Sequence, residues 1–429
     1  MSARYLLAAL LCGIASPALA QTVAITGGKV VIGDGSDPID GATVLVQDGK
    51  VVAVGRDVVV PAGVRKVDAS GKWVTPGLVV AVTNLGLFDV EAVDDSNDAD
   101  ADKSPFSASL DLSQAINPDA QHIKVSRAGG VTRAAVAPIG TDTIFGGQGV
   151  VIDLGADPNP IMVPRAFQYV ELGETGARRA GGSRVATWAE FHNSLGEARE
   201  LAAVPAGARR DDVLLNRRDA VALIPVVTGK QPLYVHVERA ADIRAVLKLK
   251  QEYPLIKLVI VGATEGWMVA GELAQSGVPV LATPLNDLPA SFEQLGATQS
   301  NVGRMKAGGV KVSLGAFFDQ PRYAPQYAGN MVALGKVPGA SGLTWNQAFA
   351  AISSGPAEAL GLGDKIGSLR PGRQGDVVIW DGDPLELTSG VTAVYIDGVE
   401  QPLKDHQTRL RDRYKGSPTE GALPKAYDW

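Results

Sequence analysis

Few side chains in this chain are placed to carry chemistry. Its 429 residues include four histidines and one cysteine. His236 stands near the C-terminal end of the apolar run Leu233–Val237, which reads as a β-strand, and Glu238 follows it closely. An imidazole in that position could bind a metal ion through a neutral nitrogen or move a proton. Glu265 opens a predicted helix, where capping explains a carboxylate as readily as catalysis does. Asp94, Asp95, Asp98, Asp100 and Asp102 crowd one loop that lacks the glycine and distal glutamate of a calcium loop, so it reads as a solvated segment. Gly146-Gly147-Gln148-Gly149 has neither the spacing of a dinucleotide loop nor the Lys-Ser/Thr of a phosphate loop. No G-x-S-x-G nucleophile elbow occurs. The cysteine, Cys12, falls in the N-terminal leader, which leaves the remainder without thiol catalysis, disulfides or zinc–cysteine ligation.

These residues need elements to hold them. Arg4 precedes the apolar run 5–14, and Ser16-Pro17-Ala18-Leu19-Ala20 ends in a small-residue cleavage site. This predicts a signal peptide over 1–20, cleaved near Ala20, and a periplasmic or secreted product. No second apolar span long enough for a membrane helix follows. Net charge is −6 with no basic run, which argues against nucleic acid or an anionic membrane surface as partner. Short strands are expected at 23–25, 29–32, 43–47, 50–54 and 64–67, with Asp48-Gly49 as a hairpin turn. A matching pair at 376–380 and 393–396 is too small to stand alone. It is expected to complete the N-terminal sheet as a composite β-sandwich domain of residues 21–75 and 370–400. Between them strands and helices alternate most clearly at 233–237, 239–252, 258–261, 264–275, 278–282, 298–307 and 310–314, the pattern of parallel strands with crossover helices. The expected fold class is α/β, a (β/α)8 TIM-like barrel over 76–369 beside the sandwich. Segment 177–206 reads as an inserted charged helical excursion, and 401–429 as a polar tail with a helix at 404–414.

Several blocks carry a resemblance to a known family: Ile25-Thr26-Gly27-Gly28-Lys29, Thr43 to Gly55, Thr75-Pro76-Gly77-Leu78, Gly355-Pro356-Ala357-Glu358-Ala359, and Ile366 to Leu385 with its Leu369-Arg370-Pro371-Gly372 and Gly375-Asp376-Val377-Val378. Together they resemble the amidohydrolase superfamily, nearest its imidazolonepropionase-like branch. The resemblance implies a hydrolase of non-peptide C–N bonds in amides or cyclic amides. It also implies one or two divalent metals, commonly zinc, that acidify a bound water.

On that resemblance, the metal-binding pair of the first barrel strand falls on Val82 and Asn84. Valine has no lone pair, and the amide oxygen of Asn84 is a weak ligand for zinc; Asn84 is expected to contact substrate or ligand instead. The strand-five ligand falls on His236, within Pro232-Leu233-Tyr234-Val235-His236-Val237-Glu238-Arg239-Ala240-Ala241-Asp242-Ile243, with Glu238 as a further ligand contact. The strand-six histidine falls on Gly262, in Gly262-Ala263-Thr264-Glu265. The strand-eight aspartate falls on Phe317, with Asp319 two residues later. A metal-bridging acid on a middle strand has only Asp153 as a candidate. His236, Glu265 and Asp319 are therefore the catalytic candidates, and His236 is the one matched metal ligand, where a catalytic zinc needs about three.

Two readings stand. In one, the protein is an exported hydrolase with a degenerate metal site. In the other, it is a catalytically inactive relative that binds a small molecule in the barrel mouth or serves a periplasmic partner, with assembly into a homo-oligomer open to either.

Overall fold

The computed structural model describes residues 22–90, 93–138, 140–204, 212–315 and 320–415. The predicted signal peptide, Phe317 and Asp319 lie outside them. Five strands open the chain: β1 (Val23–Val30), β2 (Ile39–Gln47), β3 (Lys50–Gly55), β4 (Arg65–Asp68) and β5 (Trp73–Pro76). Asp48 and Gly49 turn β2 into β3 with φ of 50° and 75°, the left-handed pair that a tight hairpin requires. β1 pairs antiparallel with β2 and parallel with both β4 and β5. It serves both on one edge because they take different segments: β4 pairs with Val23–Thr26 and β5 with Lys29 and Val30.

Eight strands then form a second sheet in chain order: β6 (Leu78–Thr83), β7 (Val131–Val136), β8 (Phe145–Asp153), β9 (Ile161–Glu171), β10 (Leu233–Val237), β11 (Leu258–Gly262), β12 (Val280–Ala282) and β13 (Val312–Leu314). From β9 onward every neighbour is parallel, as the alternation predicts. The first half departs from eight regular βα units. β8 runs antiparallel to both β7 and β9. The reason is chain length: residues 154–160 join β8 to β9 as a hairpin-sized link, whereas a parallel partner needs a dozen or more residues for its crossover. β13 and β6 close the ring through a third segment, since Leu314 N–H donates to the Ala351 carbonyl at 3.0 Å and Val79 N–H to the Ile352 carbonyl at 3.1 Å.

Strand alternation sorts the side chains into two layers. Val79, Val82, Val151, Tyr169, Tyr234 and Val261 belong to the inner cluster, where Phe167 stacks on Tyr234 at 4.1 Å between centroids. Val80, Val150, Val170, Val235, Ile260 and Val312 belong to the outer one, beneath the helices. The coat comprises α1 (Gln121–Ala128), α2 (Glu174–Arg179), α3 (Arg184–Ala203), α4 (Arg217–Val227), α5 (Ala240–Glu252), α6 (Ala270–Ser276), α7 (Asn301–Ala307), α8 (Ala324–Leu334), α9 (Trp345–Ala350) and α10 (Ser354–Ala359). The segment expected as an excursion is part of that coat. α3 buries Phe191, Leu195 and Ala198 in the outer layer.

The chain returns as β14 (Val377–Trp380), β15 (Val391–Ile396) and β16 (Val399–Glu400), followed by α11 (His406–Tyr414). β14 lies antiparallel on β5, with Ile379 opposite Val74, so both chain ends share one sheet. Val23, Ile25, Val44, Val74, Val377, Ile379 and Tyr395 form its core.

Candidate functional site

The C-terminal ends of the barrel strands carry a buried charge cluster centred on His236. β9 and β10 run in register, which sets Glu171, the last residue of β9, beside His236. The Glu171 Oε2 lies 2.6 Å from His236 Nδ1, and the Glu238 Oε1 lies 3.2 Å from Nε2. The side chains of Glu171 and Glu238 are 8% and 6% exposed, against 22% for His236. Tyr169 hydroxyl reaches the second Glu171 oxygen at 3.4 Å, and Thr264 N–H donates to Glu238 Oε2 at 2.7 Å. Burial by itself would discharge the ring. The Glu171 charge, with the hydrogen bonds to Glu171 and Glu238, outweighs it and holds His236 protonated well above its ordinary range. Burial also opposes the Glu238 charge, yet His236 and Thr264 bring that carboxylate below its usual value.

Gly262 ends β11 next to this cluster with φ of 88°. A Cβ there would meet Glu238 Oε1 at 2.7 Å and its carboxyl carbon at 2.8 Å. The carboxylate of Glu238 thus fills the room that a side chain at 262 would need.

A third carboxylate joins from the rim. Glu293 accepts from Glu174 N–H at 2.7 Å and from Arg184 at 3.0 Å, its pKa raised chiefly by burial. Arg184 also grips Asp242 at 2.9 Å, which ties the start of α3 to α5.

The other expected residues fall as follows. Val82 is fully buried in the inner apolar cluster. Asn84, just past β6, is 3% exposed, and its side-chain oxygen has no hydrogen-bond donor among the described residues. Glu265 is spent on backbone: its oxygens accept from Ala240 N–H, at the start of α5, and from Gly296 N–H, both at 2.9 Å. Asp153 lies away from the cluster, 3.9 Å from Arg133 in the joint between the two sheets. Asp319 and Phe317 are outside the described residues. Glu171 and Glu293 were not singled out from sequence. A lone acid closing the apolar run Tyr169-Val170-Glu171 was the visible signal for the first; Glu293, in a loop, offered none.

The family's divalent metal was tested against these donors. Both nitrogens of His236 face carboxylates, at 2.6 and 3.2 Å. Among the described residues no group of three or more His, Cys, Asp or Glu side chains could hold a metal ion. The donors as arranged do not fit such an ion.

Comparison with known proteins accounts for the frame around this cluster. A model of the amidohydrolase family matches residues 239–400. The crystal structure of an amidohydrolase from Thermotoga maritima superposes with a TM-score of 0.77 and 27% identity, covering 88% of this chain and 99% of that one. The chain belongs to the amidohydrolase superfamily. Its imidazolonepropionase-like branch is marked by the imidazolonepropionase of Acidiphilium cryptum, 25% identical over 392 residues, which span 81% of this chain and 89% of the relative. Amidohydrolase tasK of Hapsidospora irregularis is 24% identical over 412 residues, 83% of this chain but 39% of that protein, so this amidohydrolase-family chain spans about two-fifths of its length. Membership of this family supports hydrolysis of C–N bonds.

Proposed function

We propose that this is an exported amidohydrolase-family protein whose barrel mouth binds a small amide or cyclic amide without the family's metal-dependent hydrolysis. The observation that carries this reading is the Glu238 carboxylate, which takes the space of a side chain at 262 and one nitrogen of the matched histidine together. A metal site needs neutral imidazoles with free lone pairs. Here each ring nitrogen of His236 is engaged by a carboxylate instead. On this reading Val82, Asn84 and Gly262 are replacements that abolished ligation together.

The groups left for a ligand are acceptors. Among the described residues, one Glu171 oxygen holds only a long hydrogen bond from Tyr169, and the buried Asn84 amide oxygen has no donor. Amide N–H groups are their complement, since a buried acceptor without a donor costs about 1–3 kcal/mol. Glu265, already saturated by two backbone donors, supports α5 in this reading and takes no part in binding. Export rests on the leader of residues 1–20. Among the described residues, no helix is long and apolar enough to cross a membrane.

The test is elemental analysis and turnover on the purified, processed protein. It should carry well under one equivalent of zinc, iron or manganese and leave imidazolonepropionate and simple lactams unhydrolysed with those metals supplied. Stoichiometric metal with turnover that His236→Ala abolishes would restore the hydrolase reading.

A further inference from the structure

A cavity of about 290 Å³ opens at the opposite end of the barrel from His236. Pro279, just before β12, and Lys311, Val312 and Ser313, at the start of β13, form one wall. α7, α9, α10 and the β1–β2 loop of the composite sheet supply the remainder. The cavity thus sits where the barrel floor meets the second sheet, remote from the strand ends that carry the charge cluster.

Its lining is chemically specific. Val312, Leu343, Ala350 and Ala351 give an apolar base. Ser313 and Ser354 are only 6% and 5% exposed, and both line the cavity. A hydroxyl that lines a cavity can donate to or accept from a ligand there. Gly355 leaves room for one of them, since a Cβ there would come within 2.2 Å of Ser313 Oγ. Lys306 and Lys311 line the cavity, and their ammonium groups make no ion pair or hydrogen bond to a described residue. Of the two acids, Asp34 is committed to Arg370 at 2.7 Å, while the carboxylate of Glu358 makes neither a salt bridge nor a hydrogen bond among the described residues.

The geometry points to a second ligand site for a small acidic zwitterion of the amino-acid class. The amines of Lys306 and Lys311, with the two serine hydroxyls, would hold carboxylate groups; Glu358 would hold the ammonium. Two uncommitted cations and one uncommitted anion match a ligand with two carboxylates and one amine. A cavity of this volume is at the lower limit of the range for drug-sized ligands, which suits a molecule of about that size.

Calorimetric titration of the full chain with L-glutamate tests this, with glutarate and γ-aminobutyrate as partial probes. L-Glutamate should bind saturably. The K306A/K311A variant should weaken it at least tenfold, E358Q should remove its advantage over glutarate, and H236A should leave it unchanged. Because Lys306, Lys311 and Glu358 are exposed, these changes leave the core intact, which circular dichroism checks. Absence of saturable L-glutamate binding would overturn the site. Binding lost in H236A but kept in K306A/K311A would also overturn it, by moving the ligand to the barrel mouth. Glutarate bound as tightly as L-glutamate, with E358Q silent, would overturn the zwitterion assignment.

Discussion

At the scale of single residues, the charge on His236 decides what the barrel mouth can do. Its pKa stands well above the ordinary 6.5 because two carboxylates hold the ring against the cost of burial. A group raised in this way stabilises the fold fully below about pH 6.5, its unfolded value, and loses that contribution as pH rises through the folded value. Nitrogen-15 spectra of the ring should show both nitrogens protonated at pH 8, and Glu171→Gln should bring the titration down toward neutrality; a neutral ring at pH 8 in the unaltered protein would refute the clamp. Gly262 gives the complementary prediction. Gly262→His must strain a backbone at φ 88° and displace Glu238, so thermal unfolding should report a loss of about 1–3 kcal/mol. Zinc affinity should not appear in that variant unless Glu238 is truncated as well, which equilibrium dialysis would read. The strand that carries His236 was legible from its apolar run and flanking motif. Glu171 was not, because only the register between β9 and β10 brings it to the ring, and register is a tertiary property.

At the scale of elements, the block from Pro232 to Ile243 shows how much of a motif is architecture. Asp242 receives Arg184 and Arg239 at 2.9 and 3.1 Å, and Glu265 receives the first N–H of α5. Replacing Glu265 by Ala leaves two backbone donors unmet in a buried setting. Denaturant unfolding should show a loss of about 1–3 kcal/mol, with ligand binding at the mouth retained in the folded fraction; binding lost at full stability would return Glu265 to the site. Strands and helices from β10 to β13 were readable from sequence to within a few residues, since apolar runs and amphipathic helices alternate there without interruption. The β7–β9 meander was not, because a continuous apolar strand looks the same whichever direction its neighbour runs. Only the shortness of the 154–160 link distinguishes them.

At the scale of the whole molecule, one buried arginine joins the two sheets. Arg133 on β7 is 1% exposed and holds Asp376 through two bonds of 2.6 and 2.7 Å and Asp397 at 2.7 Å. Burial and the neighbouring Asp376 push Asp397 up to about 6, against the pull of Arg133. A carboxylate raised in the folded state favours folding while it is protonated and loses that contribution as pH rises through about 6. Urea unfolding of the native protein should therefore lose stability relative to Asp397→Asn between pH 4 and pH 6.5, and parallel curves would show that Asp397 is not the titrating group. The composite sheet itself was anticipated from the two strands at 376–380 and 393–396, which have nothing else to pair with. Arg133 was not anticipated, because its three acids lie 20 to 264 positions away along the chain.

The pairing of β5 with β14, Val74 opposite Ile379, also governs when this protein can finish folding. A growing chain exposes an unpaired β5 edge until its last quarter has been made, and open strand edges invite association with other chains. Contacts so distant in sequence form slowly as well. A polypeptide of this design leaves that sheet incomplete until Val377–Trp380 has been made. The same connectivity makes C-terminal truncation costly: a chain ending before Val377 would present that edge permanently and be prone to aggregate.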